Sequence, residues 1–199
     1  DGNCTVAVDE CGTCGGDGPP VNFLCDGTFK PETKEALQSA VNEWIDDNAT
    51  ALSTYGEINT WEVSLITDMS NLFYNKMTFN DDIGNWDVSA VTSMQSMFND
   101  ASSFNGDLSS WDVSSVSTMH KLFSSADNFN GDLSSWDVSS VTSMHSMFKN
   151  ASSFNQNISN WNVSNVTNIG SMFVLASNFN QDLSNWVLPN VTDMNNMFR

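Results

Sequence analysis

The sequence predicts an α/β solenoid, an elongated array of short parallel strands and short helical turns in which each repeat stacks on the next. The first observation behind this prediction is that tryptophan recurs every 25 residues without a slip, at Trp61, Trp86, Trp111, Trp136, Trp161 and Trp186. The second is that phenylalanine and aliphatic residues recur with the same period. A fixed period of this length is typical of small units that bury their apolar faces only against their neighbours.

The register extends through the whole repeat when each repeat is numbered from its tryptophan as position 0. Position +12 is always phenylalanine: Phe73, Phe98, Phe123, Phe148, Phe173 and Phe198. A second phenylalanine at +18 is followed by asparagine: Asn80, Asn105, Asn130, Asn155 and Asn180. We expect the aromatic residues to form the core, and the asparagine column to satisfy backbone groups of the turns.

The predicted strand is the segment that contains the tryptophan. Its pattern, L-x-x-W-x-V-x-x-V, has the shape of a leucine-rich-repeat strand, and the alternation points Trp111 and Val113 inward while Asp112 points outward. The next segment, V-T-x-M-x-x-M-F, has three- and four-residue apolar spacing. That spacing predicts a short helical turn on the opposite side of the array.

Three segments divide the chain. Residues 1–28 are rich in Cys, Gly and Asp, residues 29–56 form a helical N-terminal cap, and residues 57–199 form the array of about 5.5 repeats. A helix is expected over residues 31–54, because Pro31 suits a first turn and Leu37, Val41 and Trp44 form an apolar stripe. Such a helix would cover the exposed core of the first repeat, as solenoid caps do.

All the cysteines lie in the first segment, at Cys4, Cys11, Cys14 and Cys25. The pattern favours two disulfides that close a small N-terminal loop, and its three possible connectivities stay open. A zinc site is the alternative, but Cys4 and Cys25 do not form the second closely spaced pair that such sites normally have. A redox motif at Cys11-x-x-Cys14 lacks the βαβ context that it needs.

Charge limits the classes of partner. The formal net charge is −18, with only six basic residues, which argues against nucleic acid and against electrostatic binding to anionic membranes. Cationic partners, including Ca²⁺, are favoured. The sequence has no apolar run long enough for a transmembrane segment, and its start has no leader pattern, as expected of a mature or trimmed product.

Stacking the predicted strands aligns the outward residues in columns about 4.8 Å apart. Position +1 gives Glu62, Asp87, Asp112, Asp137 and Asn162, and position +3 adds Ser89, Ser114 and Ser139. We expect these residues to form the ligand surface. Aligned carboxylates repel one another, and Ca²⁺ bound at Asp87, Asp112 and Asp137 is one way to offset this; hydrogen bonds from the serines are another. A second acidic column at −4 is expected to bond turn amides.

No catalytic residues can be assigned, and we expect no enzymatic activity and no cofactor other than possible Ca²⁺. His120 and His145 share position +9 but have no nucleophile to activate, and no Gly-rich phosphate loop follows a strand. Seven Asn-x-Ser/Thr sequons predict N-glycosylation: Asn3, Asn48, Asn150, Asn157, Asn162, Asn165 and Asn190.

The repeat W-D-V-S-S-V-T-S-M-H-S-M-F, with F-N-G-D-L-S-S-W returning, closely resembles the BspA-like leucine-rich repeats of mycoplasma lipoproteins and other surface proteins. The resemblance covers residues 57–199. It implies an extracellular or cell-surface protein without catalytic activity that acts as an adhesion or recognition scaffold for protein or glycan ligands.

The last repeat suggests an alternative function. It stops within its predicted helical turn, and we expect the core layer at Trp186 to lack a cover. Head-to-tail docking at such a surface does not close, so the alternative is a structural subunit of an extracellular, glycosylated filament.

Overall fold

A computed structural model of the chain describes residues 9–13 and 15–199. Helix α1 spans Lys34–Asp46, helix α2 spans Asn48–Tyr55, and one 3₁₀ turn spans Ile58–Thr60. The single helix expected over residues 31–54 is therefore divided in two. The division falls at Asp47, whose N–H ends α1 on the carbonyl of Glu43 while its side chain accepts the N–H of Thr50 and caps α2.

From Tyr55 onward the chain forms a stack of layers with a period of 25 residues, which we call rungs. Rung 1 is residues 55–79 and rungs 2–6 follow, so that rung 6 is residues 180–199. Each rung donates four backbone hydrogen bonds to the next, from the N–H groups at +8, +10, +12 and +14 to the carbonyls at +7, +9, +11 and +13. In the middle of the stack, for example, the N–H of Phe98 donates to Leu122 O at 2.9 Å. A fifth bond runs the other way, from the N–H at +6 to the preceding rung.

The predicted strands are wrong, and with them the α/β leucine-rich-repeat fold class. In the described residues, parallel pairing is confined to isolated bridges at +7 that join Asp68, Ser93, Thr118, Ser143, Asn168 and Asp193. The backbone cannot continue as a strand because positions +10 and +14 have positive φ angles, such as 55° at Ser96 and 61° at Asp100. Left-handed residues interrupt the extended conformation in every rung.

The segment that was predicted to be the strand consists of two consecutive turns. Trp111 N–H donates to Leu108 O at 3.1 Å, and Val116 N–H donates to Val113 O at 2.9 Å. The three-residue spacing of L-x-x-W and V-x-x-V therefore reflects two turn hydrogen bonds. The predicted helical turns are also wrong, because the described chain has no helix after Thr60. Their segment instead makes the bonds between rungs.

The side chains that were predicted to point inward do so. Trp111 and Val113 are buried while Asp112 is exposed, and the phenylalanines at +12 and +18 are buried throughout the central rungs. Phe98 stacks on Phe123 with 5.5 Å between ring centroids. From Trp86 onward, each repeat tryptophan also donates its indole N–H to a carbonyl of the preceding rung, as Trp111 does to Ile83 O at 3.1 Å. A buried indole needs such a partner, and this one joins two rungs.

The N-terminal end of the stack is covered. Trp61 packs against Phe29, Trp44 and Tyr55, with ring centroids 5.2, 5.9 and 5.8 Å away. The carbonyl of Leu72, which faces this end, accepts a hydrogen bond from Gln38 Nε2 at 2.9 Å. Gln38 thus takes the place of the backbone N–H that a preceding rung would supply. The role of residues 29–56 as a cap stays a prediction.

The first segment contains a disulfide between Cys11 and Cys25, whose Cα atoms are 5.2 Å apart. This pairing excludes these two residues as zinc ligands. The predicted second disulfide involves Cys4 and Cys14, which lie outside the described residues. Its existence stays a prediction, as do the boundaries of the three predicted domains.

Candidate functional site

The strongest candidate for a functional surface is the column predicted at +1 with its serines at +3, which we call the acidic face. It comprises Glu62, Asp87, Asp112, Asp137 and Asn162 with Ser89, Ser114 and Ser139. Trp and Val on either side of each acidic residue are buried, and this anchors the short segment and turns the residue between them outward. Asp87, Asp112, Asp137 and Asn162 are exposed, whereas Glu62 is half-buried.

Each acidic residue of this face is held by its own rung. Asp112 Oδ1 accepts the N–H of Ser114 at 3.0 Å, and Asp137 Oδ1 accepts the N–H of Ser139 at 3.0 Å. Asp87 Oδ1 accepts both the N–H of Ser89 at 3.0 Å and its hydroxyl at 2.7 Å. The D-x-S spacing produces these Asx turns, which fix the carboxylate orientation and leave Oδ2 without a hydrogen bond from the described residues.

The hydrogen bonds also favour the ionised form of these carboxylates. Hydrogen bonds from Ser89, Ser114 and Ser139 lower the pKa values of Asp87, Asp112 and Asp137, respectively. The charge of Asp112 opposes this and raises the pKa of both Asp87 and Asp137. The expected repulsion along the column is therefore present, and hydrogen bonding outweighs it.

The second acidic column, at −4, bonds turn amides as predicted. Asp82 Oδ1 accepts the N–H of Gly84 at 2.9 Å, and Asp107 Oδ1 accepts the N–H of Ser109 at 2.9 Å. The asparagine column behaves as predicted too: Asn80 Oδ1 accepts the N–H of Asn105 in the next rung at 2.7 Å, and the pattern repeats up to Asn180.

Sequence reasoning missed a polar notch of about 420 Å³ between rungs 2 and 3. Its walls include Asp82, Asp107 and the amides of the asparagine column, and its floor contains Gly84 and Gly106. Rung 4 also has glycine at this position, Gly131, whereas rungs 5 and 6 have glutamine, and Gln156 donates to the carbonyl of Asn130 at 2.9 Å. Glycine at position −2 in rung 2, where rungs 3–6 have serine, was the signal that could have predicted the notch.

The predicted calcium ligands lie in separate rungs. In the described part of the chain, no three His, Cys, Asp or Glu side chains come close enough together to hold one metal ion. A cation on the acidic face would therefore bridge carboxylates of adjacent rungs, and water would complete its coordination.

His120 and His145 stack in adjacent rungs, with ring centroids 5.1 Å apart and the rings perpendicular. Burial is the main cause that lowers the pKa of His120, and the positive charges of His145 and Lys121 lower it further. The pair lies outside the acidic face, and no nucleophilic side chain hydrogen-bonds to either ring among the described residues.

The predicted glycosylation sites differ in how their amides are used. The side-chain amides of Asn150, Asn165 and Asn190 donate to the preceding rung, at 3.2, 2.8 and 2.8 Å. Asn48, Asn157 and Asn162 are exposed, and the last two use only their side-chain oxygen, in Asx turns. Asn3 lies outside the described residues. Glycosylation itself stays a prediction.

No described helix is both long and apolar enough to cross a membrane. In comparisons with known proteins, the sequence model of a family described as "Mycoplasma protein of unknown function, DUF285" matches the chain twice, over residues 36–138 and 109–199. The two matches together span the helices and all the rungs. Searches of curated proteins and of solved structures found no match.

Proposed function

Because the chain belongs to the family described as "Mycoplasma protein of unknown function, DUF285", we propose its function from the surface that its repeats build. The protein is a recognition or adhesion scaffold without catalytic activity, located outside the cell or on its surface. We also propose that the chain is related to the BspA-like surface proteins, on the basis of the W-D-V-S-x-V-T motif. The disulfide Cys11–Cys25 supports an oxidising location.

The observation that carries this proposal is the fixed orientation of the acidic face. Asp87, Asp112 and Asp137 occupy equivalent positions on consecutive rungs, and their Asx turns hold them before any ligand arrives. A preorganised row of exposed carboxylates loses little conformational entropy on binding. It suits a ligand with regularly spaced cationic or hydrogen-bond-donating groups.

In this proposal, Ca²⁺ would bridge the carboxylates of the acidic face and an anionic or hydroxyl-rich ligand. The lowered pKa values of Asp87, Asp112 and Asp137 favour the anionic form that Ca²⁺ coordination requires.

The test compares the protein with its D87S/D112S/D137S variant on an array of glycans and purified extracellular proteins, with and without CaCl₂. We expect the variant to lose at least about ten-fold in affinity, or about 1.4 kcal/mol. A matched control, D46S/D100S/D127S, removes the same charge away from the acidic face and should bind as the unaltered protein does. Equal binding by the two triple variants would refute the acidic face as the ligand surface.

The filament remains the alternative, and the exposed apolar residues of rung 6 favour association there. Phe198 is 63 % exposed and Met194 is 54 % exposed. Strict head-to-tail docking would require α1 to leave the opposite end, because Gln38 and Lys34 occupy it. Electron microscopy of native material distinguishes the two functions, since short monodisperse particles would contradict the filament.

A further inference from the structure

Two buried imidazole nitrogens in the middle of the stack have no hydrogen-bond partner. They are His120 Nε2 in rung 3 and His145 Nδ1 in rung 4, and they are the only such buried side-chain nitrogen or oxygen atoms among the described residues. Buried polar atoms are nearly always hydrogen-bonded, so each exception requires a specific physical explanation, of which a bound ion is one. Since both exceptions lie on neighbouring rings, one cause can account for both.

The contact between the two rings accounts for at most one of these nitrogens. The rings are perpendicular, so the edge of one imidazole faces the plane of the other. A nitrogen on the edge-on ring can donate its N–H to the face of the other ring, which is a weak interaction. The nitrogen of the other ring gains no partner from the same contact.

The separation of the rings suits a metal ion that is held by both. Zn–N bonds of about 2.0–2.1 Å and a tetrahedral angle at the ion place the centroids of two ligating imidazoles about 5 Å apart. The observed centroids are 5.1 Å apart. The backbone fixes this spacing, because the N–H of Lys121 donates to the carbonyl of His145 at 3.0 Å. Rotation about χ2, a broad torsion in histidine, can turn one nitrogen of each ring toward a common point.

The chemistry of the pair selects the class of ion. Imidazole suits Zn²⁺, Cu²⁺ and Ni²⁺, whereas Ca²⁺ and Mg²⁺ prefer oxygen ligands. A metal ion binds the neutral imidazole, and burial, followed by the positive charges of His145 and Lys121, lowers the pKa of His120 and so favours that form. Both histidines are half-buried, so an ion can reach them from solvent.

We propose that His120 and His145 form a binding site for one divalent transition-metal ion of the Zn²⁺ and Cu²⁺ class, which joins rungs 3 and 4. No third His, Cys, Asp or Glu of the described residues lies close enough to ligate the same ion. Its remaining coordination positions are therefore taken by water or by a donor from an external ligand. The site uses nitrogen ligands and does not depend on the proposed function of the acidic face.

The test titrates ZnCl₂ into the untagged 199-residue chain by calorimetry, with excess CaCl₂ present to occupy exposed carboxylates. We expect saturable binding of one Zn²⁺ per chain. His120→Gln and His145→Gln should each lose at least about ten-fold in affinity, or about 1.4 kcal/mol. Rung 2 carries glutamine at the same position, Gln95, so the stack should accommodate both variants, as circular dichroism can verify.

Two further measurements identify the ligands. Zn²⁺ should raise the Tm of the unaltered chain but of neither histidine variant, because the ion binds only the folded pair. With CuCl₂, electron paramagnetic resonance should show coupling to two imidazole nitrogens in the unaltered chain and to fewer in each variant.

Three control variants locate the binding. Gln95→Ala removes the equivalent side chain of rung 2 and should bind Zn²⁺ normally. D87S/D112S/D137S should also bind Zn²⁺ normally, which separates this site from the acidic face. Lys121→Ser should bind Zn²⁺ more tightly at low ionic strength, because it removes a positive charge that acts on His120.

Any of four results would overturn the proposal. The first is the absence of saturable Zn²⁺ binding in excess Ca²⁺, which would leave the ring contact as the whole role of the pair. The second is unchanged affinity in His120→Gln or in His145→Gln. The others are loss of Zn²⁺ binding in Gln95→Ala or in the triple aspartate variant, and weaker binding in Lys121→Ser.

Discussion

The two ends of the stack differ in how far their apolar side chains and backbone groups are covered. At the N-terminal end, an aromatic cluster covers Trp61, and Gln38 occupies the carbonyl of Leu72. At the C-terminal end, Trp186 is only half-buried and Phe198 is 63 % exposed. A repeat stack has identical interfaces inside and open groups only at its ends. Stability should therefore concentrate at the covered end of the 199-residue chain.

Truncation of an aromatic residue at each end should show the largest difference. Trp44 is 6 % exposed, packs on Trp61 and donates its indole N–H to Asp81 Oδ2 at 2.9 Å. We expect Trp44→Ala to destabilise the protein by about 3–5 kcal/mol. Phe198→Ala should cost less than about 1 kcal/mol, because the ring is mostly in solvent already. Urea unfolding measures both, and equal losses would remove the distinction between the ends.

The free-energy cost of losing the indole hydrogen bond should also depend on which rung the tryptophan is in. Trp111→Phe keeps an aromatic ring but leaves the buried carbonyl of Ile83 without its donor, which should cost about 1–3 kcal/mol. Trp186→Phe breaks the equivalent bond to Ile158 O at the half-buried end and should cost less. Thermal unfolding of the two variants provides the comparison, and a larger effect at Trp186 would contradict it.

The polar part of the cap can be tested at Gln38. Gln38→Ala removes the donor to Leu72 O and should cost about 1 kcal/mol, the usual contribution of one such bond. Amide exchange in rung 1 should rise, while exchange in rung 5 should not change. Gln38→Glu is the matched control: it keeps the size of the side chain but supplies no amide donor, so it should fail to restore stability.

The ion pair at the same end should have the smallest effect. Lys34→Ala should cost less than about 1 kcal/mol, because Lys34 and Asp68 are 28 % and 47 % exposed. Burial raises the pKa of Asp68, but hydrogen bonds from Lys34 and Ser70 outweigh it and hold the pKa below its ordinary value of 3.8.

The pH dependence of this pair follows from the lowered pKa. Asp68 stabilises the folded state fully above pH 3.8, and this contribution is lost as the pH falls through its lower folded-state pKa. Unfolding measurements should therefore find that Lys34→Ala and the unaltered chain converge in stability once the pH is below the folded-state pKa of Asp68. A difference that persists in acid would show that Lys34 acts through packing.

Periodicity in the sequence was enough to predict the register and the inward residues, because burial repeats with the same period as composition. The hydrogen bonds from turn amides to Asp82 and Asp107 followed from the position of these residues at −4. Backbone conformation was predicted wrongly. L-x-x-W suits both a strand and a three-residue turn, and only the hydrogen bond from Trp111 N–H to Leu108 O decides between them.

The sequence also had no clear signal for the residues that have positive φ angles. Ser96, Lys121 and Leu175 have φ angles of 55–56°, yet none is a glycine. Their conformation is imposed by the bonds to the next rung, so it depends on contacts 24 residues away that no local propensity records. Asn71 and Asn75 in rung 1 were the available hint, since asparagine tolerates this region better than most residues.

Hydrogen exchange at the +12 amides tests the difference between the two ends most directly. The N–H groups of Phe73, Phe98, Phe123 and Phe148 all donate to the next rung, as does that of Phe173, whereas that of Phe198 has no described acceptor. We predict strong protection at Phe73, Phe98, Phe123 and Phe148, and exchange near the rate of an unstructured peptide at Phe198. Protection of the Phe198 N–H equal to that of the Phe98 N–H in the isolated protein would contradict the account, because it would mean that the Phe198 N–H already has an acceptor.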